Sequence, residues 1–183
     1  MYTVRPPAFD SADTVNRVVA LLVRYPEIHS VRSNPTDASV TLSFAVRERL
    51  DRARMRAFGD EVAEHIRALF DLRREQPGPI AVTADRDAVT FVHVTRDAAT
   101  FAREELELVV ALFAAAFGDR LVRDGGAVSI DDDPATREEV VEVALEALRD
   151  PAQRQRLVGF REEQRVLVYF AHARKRTKAR ARS

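Results

Sequence analysis

Residues 38–46 read Ala38-Ser39-Val40-Thr41-Leu42-Ser43-Phe44-Ala45-Val46. Val40, Leu42, Phe44 and Val46 alternate with Thr41, Ser43 and Ala45. A period of two puts the first set on one face of a β-strand and the second on the other. Residues 28–33 form a second short run, separated from the first by Asn34-Pro35-Thr36-Asp37. Those four residues have turn chemistry, so the two runs predict a hairpin. A hairpin joins antiparallel strands, which argues against doubly wound and barrel α/β folds.

Upstream, Val15, Val18, Val19 and Leu22 form one apolar stripe at helical spacing. Asp10 or Ser11 can cap the start of that helix, and Pro26 stops it. Downstream, Met55, Phe58, Val62, Ile66, Leu69 and Phe70 recur at steps of three and four, which predicts a helix over 49–74. Gly59 sits inside it at some cost relative to Ala. Gln76-Pro77-Gly78-Pro79 ends the helix, and the pattern then begins again. Residues 80–84 and 88–95 flank Asp85-Arg86-Asp87 as a second hairpin, and another helix follows. Asp37-Ala38-Ser39-Val40-Thr41 resembles Asp87-Ala88-Val89-Thr90. A strand–turn–strand–helix unit is thus used at 28–74 and again at 80–118.

The third helix is the most apolar element. Leu106, Val109, Val110, Phe113 and Phe117 form one face, Leu108 and Leu112 widen it, and alanines fill much of the rest. Its first turns, with Arg103, Glu104, Glu105 and Glu107, read as solvated. A helix apolar nearly all round is expected at the centre of the fold, with Gly118 as its stop. Residues 121–123 and 127–130 flank Asp124-Gly125-Gly126 as a short hairpin or loop. Asp133 and Pro134 open a fourth helix whose core face is Val141, Ala144, Leu145 and Leu148. Residues 157–161 and 165–170 make a last hairpin around Glu162-Glu163-Gln164.

The expected fold is α+β: a mostly antiparallel sheet built from hairpins, about four helices on one face, and a central third helix. If residues 2–5 add a strand, the first half takes a ferredoxin-like β-α-β-β-α-β order. The chain has 183 residues, which suits one domain over 1–173 followed by a tail at 174–183. Nothing at the start resembles a signal peptide. The longest apolar run, residues 108–117, is half of what a membrane span needs. The expected location is the cytoplasm.

Charge is unevenly distributed. Arg174, Lys175, Arg176, Lys178, Arg180 and Arg182 fall within the last ten residues, which contain no acid. Residues 1–173 carry 23 bases against 29 acids, a net of −6 under a neutral total. A basic arm beyond an acidic body is the form of an electrostatic interaction tail. The tail has no aromatic residue and so offers no stacking platform. Arg47, Arg49, Arg52, Arg54 and Arg56 crowd the start of the second helix, with Arg49, Arg52 and Arg56 on one face. Cations there oppose the helix dipole. A phosphate would offset that cost; the alternative is a solvated face paired to Glu48, Asp51 and Asp60.

Several chemistries are excluded or disfavoured. Cys is absent, which removes disulfides, thiolate metal sites and a cysteine nucleophile. There is no phosphate-binding glycine loop, no serine elbow and no helical histidine pair among His29, His65, His93 and His172. Asp124, Asp131, Asp132 and Asp133 cluster around two glycines, but turn and cap chemistry explains them. No catalytic residue, metal or cofactor is expected. The functional expectation is a non-enzymatic binding protein that engages RNA or an RNA–protein assembly through residues 174–183, with Arg49, Arg52 and Arg56 as a second basic site. The alternative is a protein-interaction or homodimerisation module with no nucleic-acid role.

Overall fold

The computed structural model describes residues 11–123, 134–150, 152–163 and 165–171. Their elements run α1 (Ser11–Arg24), β1 (Ser30–Asn34), β2 (Ser39–Val46), α2 (Arg52–Leu72), β3 (Ile80–Arg86), β4 (Thr90–Asp97), α3 (Arg103–Phe117), α4 (Pro134–Arg149), β5 (Arg156–Glu162) and β6 (Arg165–Ala171). The strands form one antiparallel sheet in the order β3-β4-β2-β1-β5-β6. The α+β reading therefore holds, and the hairpins expected at 28–46, 80–95 and 157–170 are present; residues 124–130, of the short hairpin or loop, lie outside the described residues. Residues 2–5, the acidic cluster at 124 and 131–133, and the basic tail at 174–183 lie outside the described residues.

The two hairpin–helix units meet at the middle of the sheet. There β2 and β4 pair along eight residues, from Ser39 opposite Asp97 to Val46 opposite Thr90. This corrects one topological expectation. In a ferredoxin-like order the place between β2 and β3 belongs to the first strand of the chain; here β4 holds it. The hydrophobic content of β4 explains this, since Val92 and Val94 face the core opposite Phe44 and Leu42. That alternation fits a central strand with one face under helices.

The apolar face of the sheet lies under the helices. Val40, Leu42, Phe44 and Val46 are all buried, as their period of two requires. Phe113 of α3 stacks on Phe44 with ring centres 3.8 Å apart and meets Phe58 of α2 edge-on at 4.8 Å. Leu106, Val109 and Phe113 are fully buried, so α3 is at the centre of the core. Its surroundings differ from the sequence reading in two ways. Glu105, expected in water, is fully buried, while Ala111 and Ala115 are exposed. The reason for the first is Arg96 of β4, which enters the same core and forms a hydrogen-bonded ion pair with Glu105.

Helix α1 packs over β5 and β6 and against α4. Its approach to β5 depends on Gly159, where an added Cβ would lie 2.9 Å from Val18 and 3.0 Å from Leu22. Helix α2 lies over β3. Asp51 caps it, accepting from the backbone N–H of Arg54 at 2.7 Å. The helix starts three residues later than the pattern suggested, because that cap fixes its first turn. No helix among the described residues is long and apolar enough to cross a membrane.

Candidate functional site

Two concave surfaces stand out, one at each side of the sheet. The first is a groove of 450 Å³ between α2 and the edge strand β3. Arg52, Arg56 and Arg67 project into it from α2, with Met55, Gly59, Asp60 and Ala63 between them. Residues 52, 56, 59, 63 and 67 recur every three or four positions, which places them on one helix face. The opposite wall is Ile80, Val82, Thr83, Ala84 and Arg86. The two walls are within packing range at Gly59, where an added Cβ would stand 3.4 Å from that of Val82, an ordinary contact. An adjoining hollow is lined by Arg49, Leu50, Asp51, Arg52 and Arg86.

Arg49, Arg52, Arg56, Arg67 and Arg86 are all exposed, and none makes an ion pair among the described residues. Only two carboxylates reach the two hollows. Asp51 is engaged as the helix cap, leaving Asp60. The sequence cluster around the start of α2 is thus divided. Arg54 leaves it, forming an ion pair with Glu48 and lying 6.0 Å over the ring of Phe117. Glu48 is shared with Arg120 at 2.7 Å, so it is not available to Arg49, Arg52 or Arg56. The first turn of α2 contains no acid. Among the described residues, Asp51 is then the one carboxylate at the positive end of α2, against Arg49, Arg52 and Arg56. Arg67 continues the same face of α2 about three turns beyond Arg56, whereas Arg86 is on β3 and only the packing of β3 against α2 brings it to the others.

The second surface is the open face of the sheet, a trough of 610 Å³. The strand register sets its rows: Thr83, His93, Ser43, Ser30, Phe160 and Leu167 in one, and Ala81, Thr95, Thr41, Arg32, Val158 and Tyr169 in the next. At its centre Ser43 Oγ lies 2.7 Å from His93 Nδ1, and His93 Nε2 lies 3.1 Å from Asp85 Oδ2. With hydrogen on Nε2, His93 donates to Asp85 and accepts from Ser43. No local motif announces this chain, because its members come from three strands.

The residue types are those of a serine hydrolase, but the accessibility is reversed. Ser43 is 1% exposed and the Asp85 side chain 80% exposed. A nucleophilic serine must reach substrate, while its carboxylate is buried to orient the imidazole. The chain of bonds instead satisfies a buried hydroxyl on the open face of the central strand. The other described histidines are placed apart: His65 is exposed, with Nδ1 2.8 Å from the carbonyl of Glu61, and His29 packs against Phe91; His172 lies outside the described residues. No group of metal-ligating side chains assembles among the described residues.

Comparison with protein families, with curated proteins and with solved structures finds no match for this chain.

Proposed function

We propose that this chain is a cytoplasmic, non-enzymatic binding protein that holds the phosphate backbone of single-stranded RNA in the groove between α2 and β3, with residues 174–183 as an additional basic arm. The observation that carries this reading is the set of five exposed arginines, unpaired among the described residues, along one groove and its adjoining hollow. Unpaired cations in a row match a repeating anion, and the floor of Met55, Gly59, Ala63 and Val82 lets bases or sugars lie between them. The acidic remainder of the body disfavours non-specific adhesion elsewhere, which concentrates polyanion contact in the groove and the tail.

The test is fluorescence anisotropy with labelled single-stranded RNA over a range of salt. The proteins are the full chain, a chain ending at Ala173, and the triple variant Arg52→Gln/Arg56→Gln/Arg86→Gln. Five phosphate contacts give a slope of log K against log salt of about −3 to −4, and removing three flattens it by about 2. The three side chains are exposed, so folding is expected to survive. Equal affinity for the triple variant and the parent chain would move the binding to the tail. No binding by any of them at low salt would end the RNA reading.

A further inference from the structure

Strand β6 occupies an edge but has the side chains of an interior strand. Its sequence, Arg165-Val166-Leu167-Val168-Tyr169-Phe170-Ala171, contains no acid, no Pro and no Gly. Val166, Val168 and Phe170 turn toward the helices and pack on the core. Leu167 and Tyr169 turn to the open face, 38% and 49% exposed. A strand apolar on both faces is the pattern of one covered on both sides and paired at both edges. Yet β6 pairs only with β5 among the described residues. The other edge is guarded by contrast. Pro77 and Pro79 lead into β3, and Asp85 and Arg86 charge its end. Charge and proline are the usual protection of an edge strand.

We infer that β6 is the interface of a homodimer, pairing antiparallel with β6 of a second copy about a two-fold axis at Val168. Symmetry selects this arrangement, since a strand pairs with its own copy in a closed two-fold dimer only in antiparallel orientation. Centring on Val168 brings all seven residues of both strands into register and keeps each side chain on its own face. Leu167 of each copy then lies opposite Tyr169 of the other. On the helix side Val168 meets Val168, and Val166 meets Phe170. The rows within each copy run Phe160–Leu167 and Val158–Tyr169, so the two copies join them into one apolar cluster across the axis. Phe160 and Tyr169 already meet edge-on at 6.1 Å within one copy. No like charges oppose each other in this register, because Arg165 of one copy is set opposite Ala171 of the other and the five residues between are uncharged.

The experiment is analytical ultracentrifugation of the full chain, with the variant Leu167→Glu/Tyr169→Glu beside it, which sets like charges directly opposite each other across the axis. The expected result is twice the 20.6 kDa chain mass for the parent and a single chain mass for the variant. Both side chains face outward, and circular dichroism checks that the variant is folded. The chain has no native Cys, so register is read by disulfide formation. Leu167→Cys mixed with Tyr169→Cys crosslinks efficiently, whereas either alone does not, because directly opposed residues have Cα atoms about 4.5–5.5 Å apart. A monomeric parent at 100-micromolar order overturns the inference. So does a variant that remains dimeric, or a chain starting at Ser11 that dimerises while the full chain does not, which would assign the edge to the chain's own first ten residues.

Discussion

Replacing Arg96 by Met isolates the largest electrostatic commitment in the core. Arg96 is 1% exposed. Its Nε and Nη2 hold the two oxygens of Glu105, the second at 3.3 Å. Nη1 donates to the carbonyl of Pro79 at 2.7 Å and to that of Gly78 at 3.2 Å, and also to Asp97; Nη2 donates to Thr100 at 3.1 Å. The guanidinium lies 5.7 Å over the ring of Phe70. One side chain thus ties the end of α2, the start of β3 and the start of α3. Burial raises the pKa of Glu105 above the ordinary carboxylate value, while the hydrogen bond and charge of Arg96 pull it back. Arg96→Met removes the opposing pull and leaves a buried carboxylate alone. Breaking one partner of such a pair costs about 3–5 kcal/mol, against a total stability on the order of 5–15 kcal/mol.

The pH dependence has a definite sign. A carboxyl group whose folded pKa lies above its unfolded one, about 4.3, favours the folded state fully below the unfolded value. That contribution is lost as pH rises through the raised folded value. The deficit of Arg96→Met should therefore be smallest in acid and grow toward neutrality. Asp97 behaves oppositely. Burial works to raise its pKa, but hydrogen bonds from Thr100 and Arg96 outweigh it and hold the carboxyl below its ordinary value. Its contribution is lost as pH falls through that lowered value, and the variant forfeits part of it. Urea unfolding followed by circular dichroism from about pH 2.5 to 8 measures both, since slope-corrected midpoints report stability directly. The double variant Arg96→Met/Glu105→Leu should recover most of the loss, because an apolar replacement leaves no charge behind. An Arg96→Met chain within about 1 kcal/mol of the parent at pH 7 refutes the reasoning, and so does a deficit that does not change with pH.

Phe113→Ala should cost about 3–5 kcal/mol, since its ring is fully buried between Phe44 and Phe58; a melting temperature within a degree or two of the parent would contradict the central placement of α3. The two packed glycines should respond with opposite signs. Gly159→Ala drives a methyl into Val18 and Leu22 and should cost about 1–3 kcal/mol. Gly59→Ala meets Val82 at an ordinary contact distance and removes a weak helix residue, so it should stabilise by up to about 1 kcal/mol. Urea midpoints shifting the same way in both variants would show that helix-to-sheet spacing is misjudged at one of them.

Local patterns made the elements legible, and long-range pairing decided what they left open. Val40, Leu42 and Phe44 announce both their strand and its buried face, because strand periodicity is a property of neighbouring residues. The position of β4 between β2 and β3 has no such local sign: ferredoxin-like order and the observed order use the same elements, and only the competition for the central place separates them. Glu105 was misread for a related reason. Its neighbours Arg103, Glu104 and Glu107 signal water, and the partner that draws it inward lies on another element. The candidate groove was half legible. Arg49, Arg52 and Arg56 share a helix face in the sequence and Arg67 extends it, whereas Arg86 joins them only through packing, and Arg54 leaves by pairing with Glu48. Ser43, His93 and Asp85 were each visible as single residues, and their bonds exist only through strand register.

The two edges of the sheet carry opposite instructions, and together they define a geometry. The groove lies at β3 and the apolar edge at β6, with four strands between them. Pairing through β6 makes a twelve-stranded sheet in which the two β3 strands are the outermost. Eleven inter-strand steps separate them by on the order of 50 Å before twist is allowed for. A two-fold axis normal to the sheet keeps the helices of both copies on one side, so both grooves lie on that same side of the sheet. A single groove with a handful of arginines binds weakly at physiological salt, because each phosphate contact competes with returning counterions. A strand long enough to reach the second groove makes its second attachment without leaving the first, at an effective concentration set by the length of strand between them. A short strand sees one groove in monomer and dimer alike. Affinity that rises with RNA length in the dimer, and not in the Leu167→Glu/Tyr169→Glu monomer, therefore requires the groove and the edge together, since neither feature produces that length dependence alone.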